Sequence, residues 1–203
     1  VFDIWTRDNP DNLSNSESAI TPHVDEPFRT HPPGLFLLHC LKASPAGGAN
    51  ILIDGFRLAA VLRQHDPHAF RTLCDVPVPH HRCREGAFQH YMEAPVLTLN
   101  AHGDVSAFRF AERSAAPLKL PHGLMRRVYA ARRALLTLAY DPDYQVRICL
   151  EPGQALLIDN HRLMHGREAF QGERHLRQCN IDRDEAFSRY RLQCHQTDRT
   201  ALV

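Results

Sequence analysis

The chain has 203 residues, with 24 Lys+Arg against 23 Asp+Glu and a hydrophobic content of 43%. That length suits one domain with a substantial core. The near-zero net charge gives no electrostatic case for a nucleic acid or an anionic membrane, and no apolar run reaches the length of a membrane span.

Residues 6–21 are polar and turn-rich and read as a loop, the kind of segment that carries substrate contacts when it lies beside a site. Pro22-His23-Val24-Asp25-Glu26-Pro27 follows. Side chains two apart on a strand share a face, so His23 and Asp25 can grip one ion together. With 14 His in the chain, a His-x-Asp pair arises about once by chance, so the pair needs support from elsewhere. The continuously apolar run Leu35 to Leu41 predicts a buried strand, Ala46 to Ala49 a turn, and Asn50 to Gly55 a second strand ending in a turn. Phe56, Leu58, Ala59, Val61 and Leu62 have helical spacing, with a stop near Asp66-Pro67.

Residues 72–110 alternate short apolar runs with Pro, Gly and Asn, predicting several strands and turns. A second His-x-Asp, His102-Gly103-Asp104, lies among Asn100, Gly103 and Asp104 and reads as a surface hairpin turn. His65, His68, His80 and His81 sit in Pro-flanked polar stretches and are expected in solvent. Pro121 to Tyr140 is helical by its Leu124, Val128, Ala131, Leu135, Leu138 pattern, with Arg126-Arg127 and Arg132-Arg133 on its solvated face. Gln145 to Leu150 and Ala155 to Asn160 predict strands around a turn at Glu151 to Gln154, and Arg174 to Ile181 a last long strand. Many short strands with two helical insertions suggest a mostly-β barrel or jelly roll. The six cysteines, Cys40, Cys74, Cys83, Cys149, Cys179 and Cys194, form no C-x-x-C pair and are irregularly spaced, so free thiols and a cytoplasmic location are expected.

A histidine from a distant strand would complete a set of two His and one carboxylate, which leaves positions open and suits non-heme Fe(II) oxygen chemistry. His165, in Asp159-Asn160-His161-Arg162-Leu163-Met164-His165-Gly166-Arg167, is the candidate. A 2-oxo acid on such a centre needs a cation for its far carboxylate, and arginine offers a matching planar fork. Arg174 fits if Glu168 to Glu173 turns back. Each residue also has a plainer reading: His165 packing at a strand end, Arg174 pairing with a surface acid, Arg167 as an equally near cation. A zinc hydrolase would use the same ligands, but no H-E-x-x-H pattern accompanies them.

The ordered segments His23 to Pro27, Pro32-Pro33-Gly34, Leu38 to Leu41, Gly47-Gly48, Ile53-Asp54-Gly55-Phe56, Asp66 to Phe70, Pro152-Gly153, Asp159 to Arg167, Arg174-His175-Leu176 and Asp182 to Arg191 carry a resemblance. With them the chain resembles the γ-butyrobetaine hydroxylase branch of the taurine-dioxygenase-like, 2-oxoglutarate-dependent oxygenases, from about Asn12 to Arg191. The resemblance implies a mostly-β double-stranded β-helix (jelly roll) with helical insertions. It implies a single oxygenase domain over residues 1–203, without the small N-terminal domain usual in relatives. It assigns Fe(II) to His23, Asp25 and His165, the distal carboxylate of 2-oxoglutarate to Arg174, and a place beside the cosubstrate to the backbone near Leu38. The implied reaction consumes O2, converts 2-oxoglutarate to succinate and CO2, and hydroxylates a small substrate. Desaturation, cyclisation or C–C cleavage at the same centre, or a non-catalytic metal-binding barrel, are the alternatives.

Betaine-hydroxylating relatives hold a trimethylammonium group in an aromatic cage. The aligned positions here are Asn15, Glu26 and Asn180, so the resemblance implies a different small polar substrate. Glu26 would suit a primary amine or guanidinium, and Asn12 matches a family Asn at the substrate's carboxylate end. No nucleic-acid or membrane partner is expected, and a homo-oligomer is left open.

Overall fold

Alternation along the strands decides which side chains reach the interior. The computed structural model describes residues 1–8, 10 and 12–197, so Asn9 and Asp11 of the expected loop and residues 198–203 lie outside it. Strand β1 (Phe2–Trp5) opens the chain, and β2 (Ile20–His23) follows a loop tightened by a short 3-10 turn at Leu13–Asn15. β3 (Leu35–Lys42) buries Phe36, Leu38 and Cys40 and turns Leu37 outward, the period of a strand with one face on the core. β4 (Ala46–Gly47) and β5 (Asn50–Asp54) lead to α1 (Gly55–His65), which Asp54 caps by accepting from the amides of Phe56 and Arg57.

A second helix, α2 (Pro67–Asp75), starts where α1 stops. Asp66 accepts from the Ala69 amide, and Pro67 stands in the first turn, where no backbone donor is needed. The stop expected at Asp66-Pro67 is therefore also a start, and residues 72–75 are helical rather than extended. β6 (Val78–Arg84) with β7 (Phe88–Ala94), and β8 (Leu97–Leu99) with β9 (Val105–Phe108), form two antiparallel hairpins. His102-Gly103-Asp104 is the turn of the second, as expected: Asn100 Oδ1 accepts from the amides of His102 and Asp104. Then come α3 (His122–Tyr140), β10 (Gln145–Ile148), β11 (Ala155–Asp159), β12 (Leu163–Arg167), β13 (Phe170–Gln171), β14 (His175–Ile181) and α4 (Arg183–Thr197). With α2 and α4 the described residues hold four helices, not two.

Two four-stranded antiparallel sheets dominate, ordered β1-β14-β3-β11 and β10-β5-β12-β2. Phe36, Leu38, Ile158 and Leu176 of the first pack against Leu52, Ile148 and Leu163 of the second. On the second sheet's other face, Ile53 and Met164 join a larger core with α1, α2 and α3, whose Leu58, Leu73 and Leu135 are almost wholly buried. Each such leucine contributes roughly 1.5–3 kcal/mol over an exposed one. The helices thus brace the sheet from behind and leave its front to the site.

Two surface expectations fail. His80 is 2% exposed, because β6 folds it inward beside Ser114. Arg132 is buried and bonds Glu112 at 2.7 Å, while its neighbour Arg133 is exposed. No disulfide joins any of the six cysteines. Among the described residues no helix is long and apolar enough to cross a membrane.

Candidate active site

The strand register brings the two distant histidines together. His23 on β2 lies opposite His165 on β12, with ring centroids 4.3 Å apart. Asp25 joins them by a different route from the one expected. β2 ends at His23, and Asp25 sits in the bend beyond it. Asn160 fixes that bend: its Oδ1 accepts from the Asp25 amide at 2.7 Å, and its Nδ2 donates to the carbonyls of Asp25 and Pro33 at 3.0 and 2.9 Å. Gln178 Nε2 donates to Asp25 Oδ2 at 3.0 Å, leaving Oδ1 3.4 Å from His23 Nε2 and 3.7 Å from His165 Nε2.

The donor set fits a divalent ion. One ligand atom from each of the three residues lies within 4.8 Å of the others. Two donors at ~2.1 Å from one ion and at right angles would stand roughly 3 Å apart. His23 Nδ1 lies 2.9 Å from the Thr21 carbonyl, which accepts only if Nδ1 carries the proton, so Nε2 of the neutral ring keeps its lone pair for the site. Burial, then neighbouring His23, push His165 down to about 3. Burial would push Asp25 up, but the His165 and His23 imidazoles and the Gln178 amide outweigh it and hold the carboxyl well below the usual carboxylate range. At neutral pH His165 is neutral and Asp25 ionised, the states metal ligation needs. Arg113 Nη2 also lies 2.7 Å from His23 Nε2, on the lone pair an ion would take, so a bound metal displaces that contact.

The triad opens into a cavity of about 530 Å³ that Arg174, Leu38, Asn12, Glu26 and Asn180 also line. Arg174 is 8% exposed, and burial lowers it to about 10. Among the described residues its one side-chain hydrogen bond is to neutral Asn50 Oδ1 at 3.4 Å, and no carboxylate lies in salt-bridge range. The turn that sets Arg174 back toward the triad runs through β13 and Gly172, whose φ of 81° suits glycine. The rival cations are engaged elsewhere. Arg167 donates to the carbonyls of Ser14, Ser16 and Ser18 and so ties the 13–18 loop to β12. Arg177 points to the other face of β14 and pairs with Asp3.

Asn15 is buried and accepts from the Trp5 amide, and it is not among the residues that line the cavity. Glu26 lines the cavity, but its carboxylate is bound by Arg29. Its φ of 53° is the one left-handed non-glycine conformation among the described residues. Asn180 accepts from Gln178 at 2.9 Å at the cavity mouth. Gln178, Asn160 and Arg113 were missed. Period-two counting from Arg174 into β14 points to Gln178, and Asn160 stands inside the Asp159 to Arg167 motif. Nothing in the sequence singles out Arg113.

Antiparallel sheets enclosing a cavity with two histidines and a carboxylate at its base define a mostly-β protein with a centre fit for one metal ion. The chain belongs to the TauD, TfdA family: the model described as "Taurine catabolism dioxygenase TauD, TfdA family" matches residues 1–180. It is similar to gamma-butyrobetaine dioxygenase of Pseudomonas sp. (strain AK-1), 34% identical over 192 residues, covering 93% of this chain and 50% of the relative. It is also similar to mitochondrial trimethyllysine dioxygenase of Rattus norvegicus, 33% identical over 179 residues, covering 86% and 42%. The chain thus spans about half the length of these curated relatives or less. In fold it resembles an asparagine oxygenase solved with Fe(II), 2S,3S-3-hydroxyasparagine and succinate, with a TM-score of 0.72 at 20% identity, covering 89% of this chain and 56% of that one.

Proposed function

We propose that this chain carries the catalytic domain of an Fe(II)- and 2-oxoglutarate-dependent dioxygenase that hydroxylates a small polar substrate, with its two main sheets forming a double-stranded β-helix. The observation that carries this reading is the pairing, in one cavity, of a metal-competent triad with a buried arginine lacking an acidic partner. A desolvated guanidinium without a counter-charge is costly, and a carboxylate ligand removes that cost.

In this reading His23, Asp25 and His165 hold Fe(II), and Arg174 takes the distal carboxylate of 2-oxoglutarate beside Leu38. Bound iron supplies O2 activation coupled to decarboxylation of the keto acid. The chain's own residues prepare for it. Asp25 enters ionised and His165 neutral, so neither gives up a proton to ligate. Gln178 and Asn160 fix the carboxylate's angle, as hydrogen-bond partners of metal ligands do. Family membership and dioxygenase relatives support the chemistry. Desaturation, cyclisation or C–C cleavage would use the same residues and differ only in product.

The test has two parts. Anaerobic Fe(II) and 2-oxoglutarate should give a charge-transfer absorption band, and O2 with a substrate panel should give succinate. A chain that shows neither is a binding barrel and not an oxygenase.

A further inference from the structure

The turn after β9 presents one arginine to the cavity with unusual care. Glu112, Arg113 and Ser114 form a single 3-10 turn. Glu112 is held at 2.7 Å by buried Arg132 of α3. Ser114 Oγ lies 3.1 Å from Nδ1 of buried His80 on β6 and also reaches the Ala111 carbonyl. Both flanking side chains are thus locked into the body, while Arg113 between them lines the cavity and meets His23 Nε2 at 2.7 Å. Among the described residues no carboxylate pairs with Arg113 in salt-bridge range.

Charge in the loaded site then leaves Arg113 uncompensated. Iron(II), Asp25, the dianionic keto acid and Arg174 balance to zero. Arg29 is matched by Glu26, and Arg167 gives its Nη1 and Nη2 donors to three loop carbonyls, its buried Nε alone lacking a partner. Once a metal takes the lone pair of His23 and the charge of Asp25, Arg113 loses both groups it faces. Arg82 lines the same cavity and adds to the positive field. Resting on the oxygenase reading, we propose that Arg113 is the specificity-determining residue that binds a carboxylate of the substrate beside the metal. The substrate is then selected as an acid and not through an ammonium group. Among the described residues Glu26 is the one acid facing the cavity outside the triad, and it is already held by Arg29 and does not offer its charge to an amine. The guanidinium fork matches a carboxylate with two parallel hydrogen bonds, which a lysine in its place would not reproduce.

The experiment uses the full chain loaded with redox-silent Mn(II) and 2-oxoglutarate, titrated by calorimetry with butanoate, γ-butyrobetaine and butyltrimethylammonium. Butanoate and γ-butyrobetaine should bind, and butyltrimethylammonium should not. Arg113→Gln should weaken butanoate at least tenfold and Arg113→Lys should recover part of the loss. Both variants should bind 2-oxoglutarate within twofold and Mn(II) no more weakly than the unmodified chain, Arg113→Gln gaining from the loss of the contact that competes for His23, which also reports that they are folded. Butanoate binding untouched in Arg113→Gln overturns the proposal, as does tighter binding of butyltrimethylammonium, or no acid binding to the unmodified chain. Loss of 2-oxoglutarate in Arg113→Gln overturns it too, by assigning the residue to the cosubstrate. If Mn(II) and 2-oxoglutarate fail to bind the unmodified chain, the oxygenase reading itself falls.

Discussion

In the proposed oxygenase, Arg174 would be where cosubstrate binding separates from metal binding. Its guanidinium is buried against Asn50 and shares the triad's cavity, yet His23 on β2, His165 on β12 and Asp25 in the bend are positioned without it. Arg174→Ala should therefore raise the 2-oxoglutarate concentration needed for half-saturation by a factor of ten or more, while Mn(II) affinity measured by calorimetry stays within twofold. Removing a charge-assisted bidentate contact costs about 1.5–3 kcal/mol or more, which sets that scale. Normal 2-oxoglutarate binding in the variant would remove Arg174 from the site. At this scale the sequence was legible where chemistry needs fixed types at fixed spacing: the His23–Asp25 pair, His165 and Arg174 all reach one cavity. It was opaque where position depends on distant backbone. Asn15 is expected at the site because it aligns with an aromatic-cage position of the relatives, but its side chain accepts from the Trp5 amide of β1. His80 looked solvated because its neighbours are polar, but the β6 register turns it inward.

The strand pair β2–β12 is the element on which the triad depends. Gly166 lies where these strands approach: a Cβ there would stand 2.7 Å from the Ile20 carbonyl and 3.3 Å from the Pro22 nitrogen, both backbone atoms that cannot rotate aside. Gly166→Ala should push β2 away from β12 and with it His23 from His165. The expected result is a stability loss of about 1–3 kcal/mol by denaturant unfolding, as for other overpacked sites, together with at least tenfold weaker Mn(II) binding. Gly153→Ala is the control. Its φ of 89° strains any side chain, but open space surrounds it, so it should lose stability and leave Mn(II) affinity unchanged. Equal metal affinity in both variants would show that the β2–β12 spacing does not set the site. Elements marked by an apolar run or a helical period were legible, β3, α1 and α3 among them, as was β14, within a residue or two at each end. α2 was lost because Asp66-Pro67 reads equally as a stop and as a capped start, and the structure uses it as both. α4 was lost because its mostly exposed residues set up no apolar stripe to count.

For the whole molecule, the buried histidines tie stability to pH. Burial, with the charges of Arg132 and Arg109, pushes His80 down to about 4. Burial also lowers His161, and His165 falls to about 3. An unfolded chain returns such groups to about 6.5, so below that pH the unfolded state binds protons that the folded state refuses. Their contribution is complete above about pH 6.5 and is lost as pH falls toward 4. For His80 alone the difference amounts to about 3 kcal/mol at roughly 1.4 kcal/mol per unit. Ordinary carboxylates remain mostly ionised above pH 5, so the interval from 6.5 to 5 isolates the histidines. With metal removed by a chelator, unfolding free energy from denaturant titrations should fall through that interval. His80→Gln keeps a polar group beside Ser114 but cannot titrate, so its slope should be shallower by close to one proton, whatever its absolute stability. If the two slopes coincide, His80 takes up its proton in the folded state as readily as in the unfolded one, and burial behind the Arg113 turn is not what keeps it neutral.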